Sequence, residues 1–231
     1  MIRSPLRLLA ALALVALTLF VVACGDDESS GGGSSKQSGA PTEGKQGGKL
    51  EQLGSSDVDF LDPGQTYYTA GFQVIYATQS TLYSPKPEGE DFVNEPTLAD
   101  GQPQISDDKK SVTVKLKSGI KFGPPVNREV EAKDIKYAFE RSFTKNVPNQ
   151  YTTYYDFIEG APAKPGAYKE ISGIVVDDPH SITFKLSKPL GVPFAAFLIM
   201  PITSPVPKEY AQKFDQASPS KYNQNVVSSG P

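Results

Sequence analysis

The stretch Leu98–Phe143, LADGQPQISDDKKSVTVKLKSGIKFGPPVNREVEAKDIKYAFERSF, reads as hairpin, loop and helix, and the remainder of the chain can be arranged around it. Val112, Val114 and Leu116 alternate with Ser111, Thr113 and Lys115, the period of two expected of a strand with one buried face. The polar run Asp107–Lys110 predicts a turn, with a partner strand returning along Gln102–Ser106. Ile120 and Phe122 extend the path to Pro124 and Pro125, which neither a helix interior nor a central strand accepts. From Ala132, the residues Ile135, Ala138, Phe139 and Phe143 fall at helical spacing, leaving Lys136, Glu140 and Arg141 for solvent.

This succession resembles the signature region of the peptide-binding class of ABC-transporter extracellular solute-binding proteins. The residues that carry the likeness are Leu98, Ala99, Asp108, Leu116, Gly119, Lys121, Phe122, Ala132, Asp134, Ile135, Phe139, Glu140 and Arg141, in order. Two features depart from it. The loop reads GPPVNREVEA where an Asp-Gly turn is usual, and Glu131 stands where Ser or Thr commonly caps the helix. The resemblance implies a mixed α+β chain with the two-lobe architecture of type II periplasmic binding proteins, binding solute without reaction and reporting closure to a membrane permease.

Composition narrows the alternatives. The 231 residues contain one cysteine and one histidine, which leaves no internal disulfide, no Cys-cluster or His-pair metal site and no ready histidine triad. No cofactor is expected. Without Arg3 and Arg7 the chain keeps 21 basic and 26 acidic residues, so nucleic acid is not an expected partner.

The N-terminus carries its own message. Arg3 and Arg7 precede an apolar run, Leu6–Val22, and Val21-Val22-Ala23-Cys24 matches the lipoprotein processing box. One reading is a lipoprotein signal peptide over 1–23 with Cys24 lipidated; the other is a membrane-spanning helix with an incidental thiol. The Gly/Ser-rich stretch over 24–47 favours the first, because a tether that buries no core lets a soluble domain reorient on an extracytoplasmic membrane face.

Residues 48–231 form the expected solute-binding portion. Leu50, Leu53, Val58 and Phe60 predict a first strand over Lys49–Asp59, leading to Leu61-Asp62-Pro63. In the resembled family the residues before that tripeptide line the ligand cleft, which implies Ser55, Ser56, Asp57, Val58 and Asp59. Asp57 and Asp59 could meet a ligand ammonium group or simply be solvated. Asp62 is expected to cap the turn at Pro63-Gly64.

Phe72, Ile75, Tyr76, Gln79 and Leu82 predict a core helix. Tyr151, Tyr154 and Tyr155 lie in a proline-broken connection and are either a ligand wall or a satellite core. Ile171–Leu186 reads as a second hairpin, with His180 a solvated residue at the turn, and its Val-Val-Asp-Asp and Thr-Phe-Lys-Leu elements repeat the family likeness. Short helices follow over Phe194–Met200 and Lys208–Phe214. Val226–Pro231 resembles a Gly-Thr-Gly-Pro element after which complete members continue for several hundred residues, so the two-lobe architecture is expected to be incomplete here.

Two other functions compete with the resemblance. One is a membrane-anchored hydrolase using carboxylates such as Asp177 and Asp178, although adjacent turn residues rarely form the separated pair that glycoside hydrolysis needs. The other is a tethered interaction module without a small ligand.

Overall fold

A computed structural model describes residues 47–49, 51, 53–54, 56–85 and 94–230. Two compact units divide the chain, Met1–Glu51 and Gln52–Pro231. In the first, the described residues are exposed; Cys24 and the apolar run before it lie outside the described residues. No helix among the described residues is long and apolar enough to cross a membrane.

The second unit is organised by a four-stranded antiparallel sheet in the order β3-β4-β6-β5. Its strands are β3 (Gln104–Ile105), β4 (Ser111–Lys115), β5 (Ile174–Asp178) and β6 (Ser181–Lys185). Both expected hairpins form, and they join through the central pair β4–β6, in which Val112 faces Phe184 and Val114 faces Ile182. These four side chains are fully buried. The intervening residues point to the wet face, where the Thr113 and Thr183 hydroxyls meet at 2.8 Å. The pairing register shifts between Val176 and Asp178, a bulge that leaves Val176 36% exposed. A separate two-stranded sheet pairs β1 (Tyr83–Pro85) with β2 (Asn94–Pro96).

Helix α1 (Thr69–Thr78) precedes β1, and α2 (Ala132–Ser142) lies against β5 and β6. The main core gathers around Phe139, whose ring is 5.1 Å from both Phe184 and Tyr155. Phe194, from α4 (Gly191–Phe197), closes the cluster at 4.9 Å from Phe184. A smaller core joins Tyr137 and Ala138 of α2 to Val206, Ala211 and Tyr222. Ala211 belongs to α5 (Lys208–Ala211); α3 is the short helix Thr152–Tyr155.

The two departures from the signature pattern have local explanations. Asn127 takes φ 53°, the left-handed conformation that an Asp-Gly turn would provide, and Phe122 N donates to Arg128 O at 2.9 Å across the loop. At the start of α2, the Asp134 carboxylate accepts from Glu131 N at 2.9 Å, so the residue three positions into the helix serves the cap in reverse.

Two expectations need correction. Lys49–Asp59 forms no strand: none of its described residues pairs with another strand, and an extended segment becomes a strand only when a neighbour completes its ladder. Glu140 and Arg141 do not face solvent, being 2% and 1% exposed. Helix α2 is covered on both flanks, by the sheet on one and the smaller core on the other, so these two polar positions are buried and had to find partners. Glu140 accepts from the Tyr168 hydroxyl and, at 2.9 Å, from Ile171 N.

Candidate functional site

The segment leading to Leu61-Asp62-Pro63 is held by the turn that follows it. Asp59 accepts hydrogen bonds from the Thr66 hydroxyl at 2.6 Å, Tyr67 N at 2.7 Å, Tyr68 N at 3.2 Å and Phe60 N at 2.8 Å. Burial raises its carboxyl, but these donors outweigh burial and hold it below the usual carboxylate range. Asp59 is therefore committed to shaping its own loop. Asp57 accepts from Val58 N at 2.8 Å and otherwise faces solvent.

Asp62 does cap the turn, accepting from Gly64 N at 2.9 Å, but it also meets a partner invisible in the local sequence. Arg141 grips it with two nitrogens at 2.7 and 2.8 Å and reaches Asp215 at 2.6 and 2.8 Å. The guanidinium lies 4.9 Å from the Tyr222 ring centroid. Ser220 and Tyr137 donate to Asp215 at 2.5 and 2.8 Å, so that each oxygen of this carboxylate accepts two hydrogen bonds. This buried Asp–Arg–Asp arrangement ties the turn after the candidate segment to α2 and to residues 215–222. Asn223 adds to it, accepting from Leu61 N at 2.5 Å and Asp62 N at 3.2 Å.

Between the segment and α1 lies a recess of about 400 Å³, walled by Ser56, Asp57 and Val58 on one side and Ala70, Val74 and Ala77 on the other. Ser55 lies outside the described residues. No main-chain to main-chain hydrogen bond holds Ser56–Asp59 among the described residues. Leu61 and Tyr68, 44% and 57% exposed, add apolar surface on the adjoining turn.

The tyrosine block comes to the same neighbourhood. Tyr154 and Tyr67 hydroxyls meet at 2.7 Å, the Tyr151 ring is 5.6 Å from that of Tyr67, and the Tyr151 hydroxyl donates to Thr66 O. Tyr151 and Tyr155, however, are fully buried. Tyr151, the N-cap of α3 with helical dihedrals, and Tyr155, its last residue, lie four apart and share the inward side, where the Tyr155 hydroxyl donates to Phe197 O at 2.7 Å. Burial pushes both phenols well above their ordinary range. Of the three, Tyr154 keeps accessible surface, while Tyr151 and Tyr155 support the turn from behind.

The carboxylates Asp177 and Asp178 remain at the hairpin turn. Asp177 accepts from the Thr183 hydroxyl at 2.7 Å, and Asp178 from His180 N at 2.7 Å. His180 points its Nε2 at Glu129, 3.1 Å away. No group of three or more metal-ligating side chains gathers among the described residues.

Gly71 shows how tightly the turn is packed on α1. A Cβ there would fall 1.9 Å from Thr66 Oγ1 and 2.6 Å from Asp59 Oδ1. Alanine in a helix normally gains about 0.5–1 kcal/mol over glycine. Overpacking costs about 1–3 kcal/mol, so Gly71→Ala is expected to lower stability in urea unfolding rather than raise it.

Comparison with known proteins places these features in a family. Residues 94–231 match the family described as "Bacterial extracellular solute-binding proteins, family 5 Middle". The chain is 31% identical over 180 residues to di/tripeptide-binding protein 3 of Pseudomonas aeruginosa, covering 74% of this chain and 32% of that protein. It is 33% identical over 131 residues to the periplasmic oligopeptide-binding protein OppA of Escherichia coli, covering 53% and 22% of the two chains. Among solved structures, clavulanic acid biosynthesis oligopeptide binding protein 2 superposes with a TM-score of 0.65 at 28% identity, covering 77% of this chain and 32% of that one. The chain thus spans about a third of the length of the first of these relatives. Family match and superposition agree with the mixed architecture described above: the protein belongs to the family 5 bacterial extracellular solute-binding proteins and has the fold of type II periplasmic binding proteins.

Proposed function

We propose that this chain receives a peptide solute on behalf of an ABC importer and leaves it chemically unchanged. The observation that carries the reading is the segment Ser56–Asp59, whose main chain has no ladder partner among the described residues and which borders the recess against α1. An extended peptide can bind such a segment as an added strand, main chain to main chain, which tolerates varied side chains. Tyr154 and Tyr68 then offer amphipathic rings at the margin. Relatives named for di/tripeptides and oligopeptides support peptide as the cargo class.

The test is thermal unfolding of the chain with graded di-, tri- and longer peptides. A peptide at a hundredfold its Kd adds about 2.7 kcal/mol, expected to raise the midpoint by roughly 5–10 °C. A midpoint unmoved by any peptide, or turnover of a chromogenic ester, would overturn the reading.

The same proposal assigns Cys24 as a lipid-bearing residue that holds the protein at the extracytoplasmic membrane face, beside its permease. Cys24→Ser is expected to move the protein from the detergent phase to the aqueous phase in membrane fractionation. Retention of the variant in detergent would count against lipidation.

A further inference from the structure

A second groove, of about 410 Å³, opens among the end of α2, residues 144–146, residues 166–168 and α5 with its following turn. It shares no lining residue with the recess beside α1. Its charge is opposite to that of the protein as a whole. The chain carries a formal net charge of −3, whereas the groove is lined by Arg141, Lys145 and Lys208 against one carboxylate, Asp215. Arg141 is shared between Asp215 and the buried Asp62, so that trio carries one net negative charge, and the two exposed lysines leave the groove with one positive charge in excess. Two ammonium groups remain, and neither forms an ion pair among the described residues.

Lys208 is held in place. Its Nζ lies 4.8 Å from the Tyr168 ring centroid and 5.7 Å from that of Tyr137, and donates to the Tyr168 hydroxyl at 3.3 Å. A cation fixed by two rings loses less freedom on meeting an anion than a free surface lysine does. Behind the rings, Asp215 accepts from the Tyr137 hydroxyl at 2.8 Å, and Glu140 accepts from Tyr168 and has Lys136 at 3.7 Å. Exposed Glu170 is the other negative group whose field reaches Tyr168. The volume suits a small molecule, and a concave positive surface concentrates anions.

We propose that this groove is a second binding site, separate from the peptide segment, for a small organic anion of the carboxylate or phosphate class. Its charged group sits between Lys145 and Lys208, and its remaining atoms rest against Tyr168, which is 40% exposed. This assignment does not depend on the peptide reading.

Citrate and inorganic phosphate serve as probes in a calorimetric or NMR titration of the whole chain at fixed ionic strength. Saturable binding of at least one of them is expected, weakened about tenfold or more in Lys145→Gln/Lys208→Gln, an effect of about 1.4 kcal/mol. Lys213→Gln is the control: that ammonium lies over Tyr210 and Phe214, outside the groove, and its loss is expected to change affinity less than about twofold. Absence of saturable binding to both probes overturns the proposal. So does equal weakening by Lys213→Gln, which would mean diffuse charge. Peptide-induced stabilisation unchanged in the double variant supports separate sites; its loss together with anion binding overturns them.

Discussion

Arg141→Met is expected to destabilise the folded unit by about 3–5 kcal/mol, because it leaves the buried Asp62 and the largely enclosed Asp215 facing each other's charge with their shared cation gone. The side chain is 1% exposed, so water cannot replace the guanidinium. The cost belongs to the orphaned carboxylates more than to the lost ion pairs. Asp62→Asn and Asp215→Asn, added to Arg141→Met, are therefore expected to recover part of the stability. Urea unfolding at neutral pH measures both effects.

Acidification is expected to bring the stabilities of wild type and Arg141→Met closer together. Burial raises the Asp215 carboxyl, and Arg141, Ser220 and Tyr137 more than offset this, holding it below its ordinary value. A carboxyl lowered in the folded state contributes stability above its unfolded pKa, and that contribution disappears as pH falls through the folded value. Without Arg141 the burial effect dominates and the carboxyl rises, so protonation would stabilise the variant. The gap between wild type and Arg141→Met should narrow as pH is lowered from 7 towards 4. A gap independent of pH would mean that the carboxylates are not electrostatically coupled to Arg141.

Phe184→Ala is the second large effect, about 3–5 kcal/mol by the cost of emptying a core aromatic site. Phe184 is fully buried on central strand β6, faces Val112, and touches the rings of Phe139 and Phe194 at once. Helix α2, the sheet and α4 all abut the space it fills, so collapse around alanine would require three elements to move together. Val176→Ala on the bulged edge strand offers the comparison: its side chain is partly exposed, and a loss below about 1 kcal/mol is expected. Similar losses at both positions would contradict the placement of the core.

The elements that could be read from the chain are those whose evidence is local. Ser111–Lys115 and Ser181–Lys185 alternate because a strand has two faces, and Ala132–Ser142 repeats with helical spacing because one stripe packs on the sheet. Both patterns survive in a short window. The limits of such reading are equally physical. Glu140 and Arg141 are charged residues in the last turn of a helix, a position that ordinarily means solvent. Tyr137 and Ala138, which with Arg141 form the side of α2 that meets the smaller core, hint that this flank is covered. They do not identify its partners. The tyrosines of α3 pose the same difficulty, since the amphipathic ring suits a ligand wall and a core equally, and burial decides between them.

By itself, the sequence determined the two hairpins, the helix between them, the want of the cysteines and histidines that an internal disulfide, a Cys-cluster or a His-pair site requires, and the family likeness of Leu98–Phe143. Periodicity and residue type act over a few neighbours and need no knowledge of the rest of the chain. Only the tertiary structure decided that β4 pairs with β6, that the segment before Leu61 is left without a strand neighbour among the described residues, and that Arg141 is an internal cation. Its partners Asp62 and Asp215 lie 79 and 74 residues away, brought to it by the closing of the core, and a buried charge takes its meaning from what surrounds it in space.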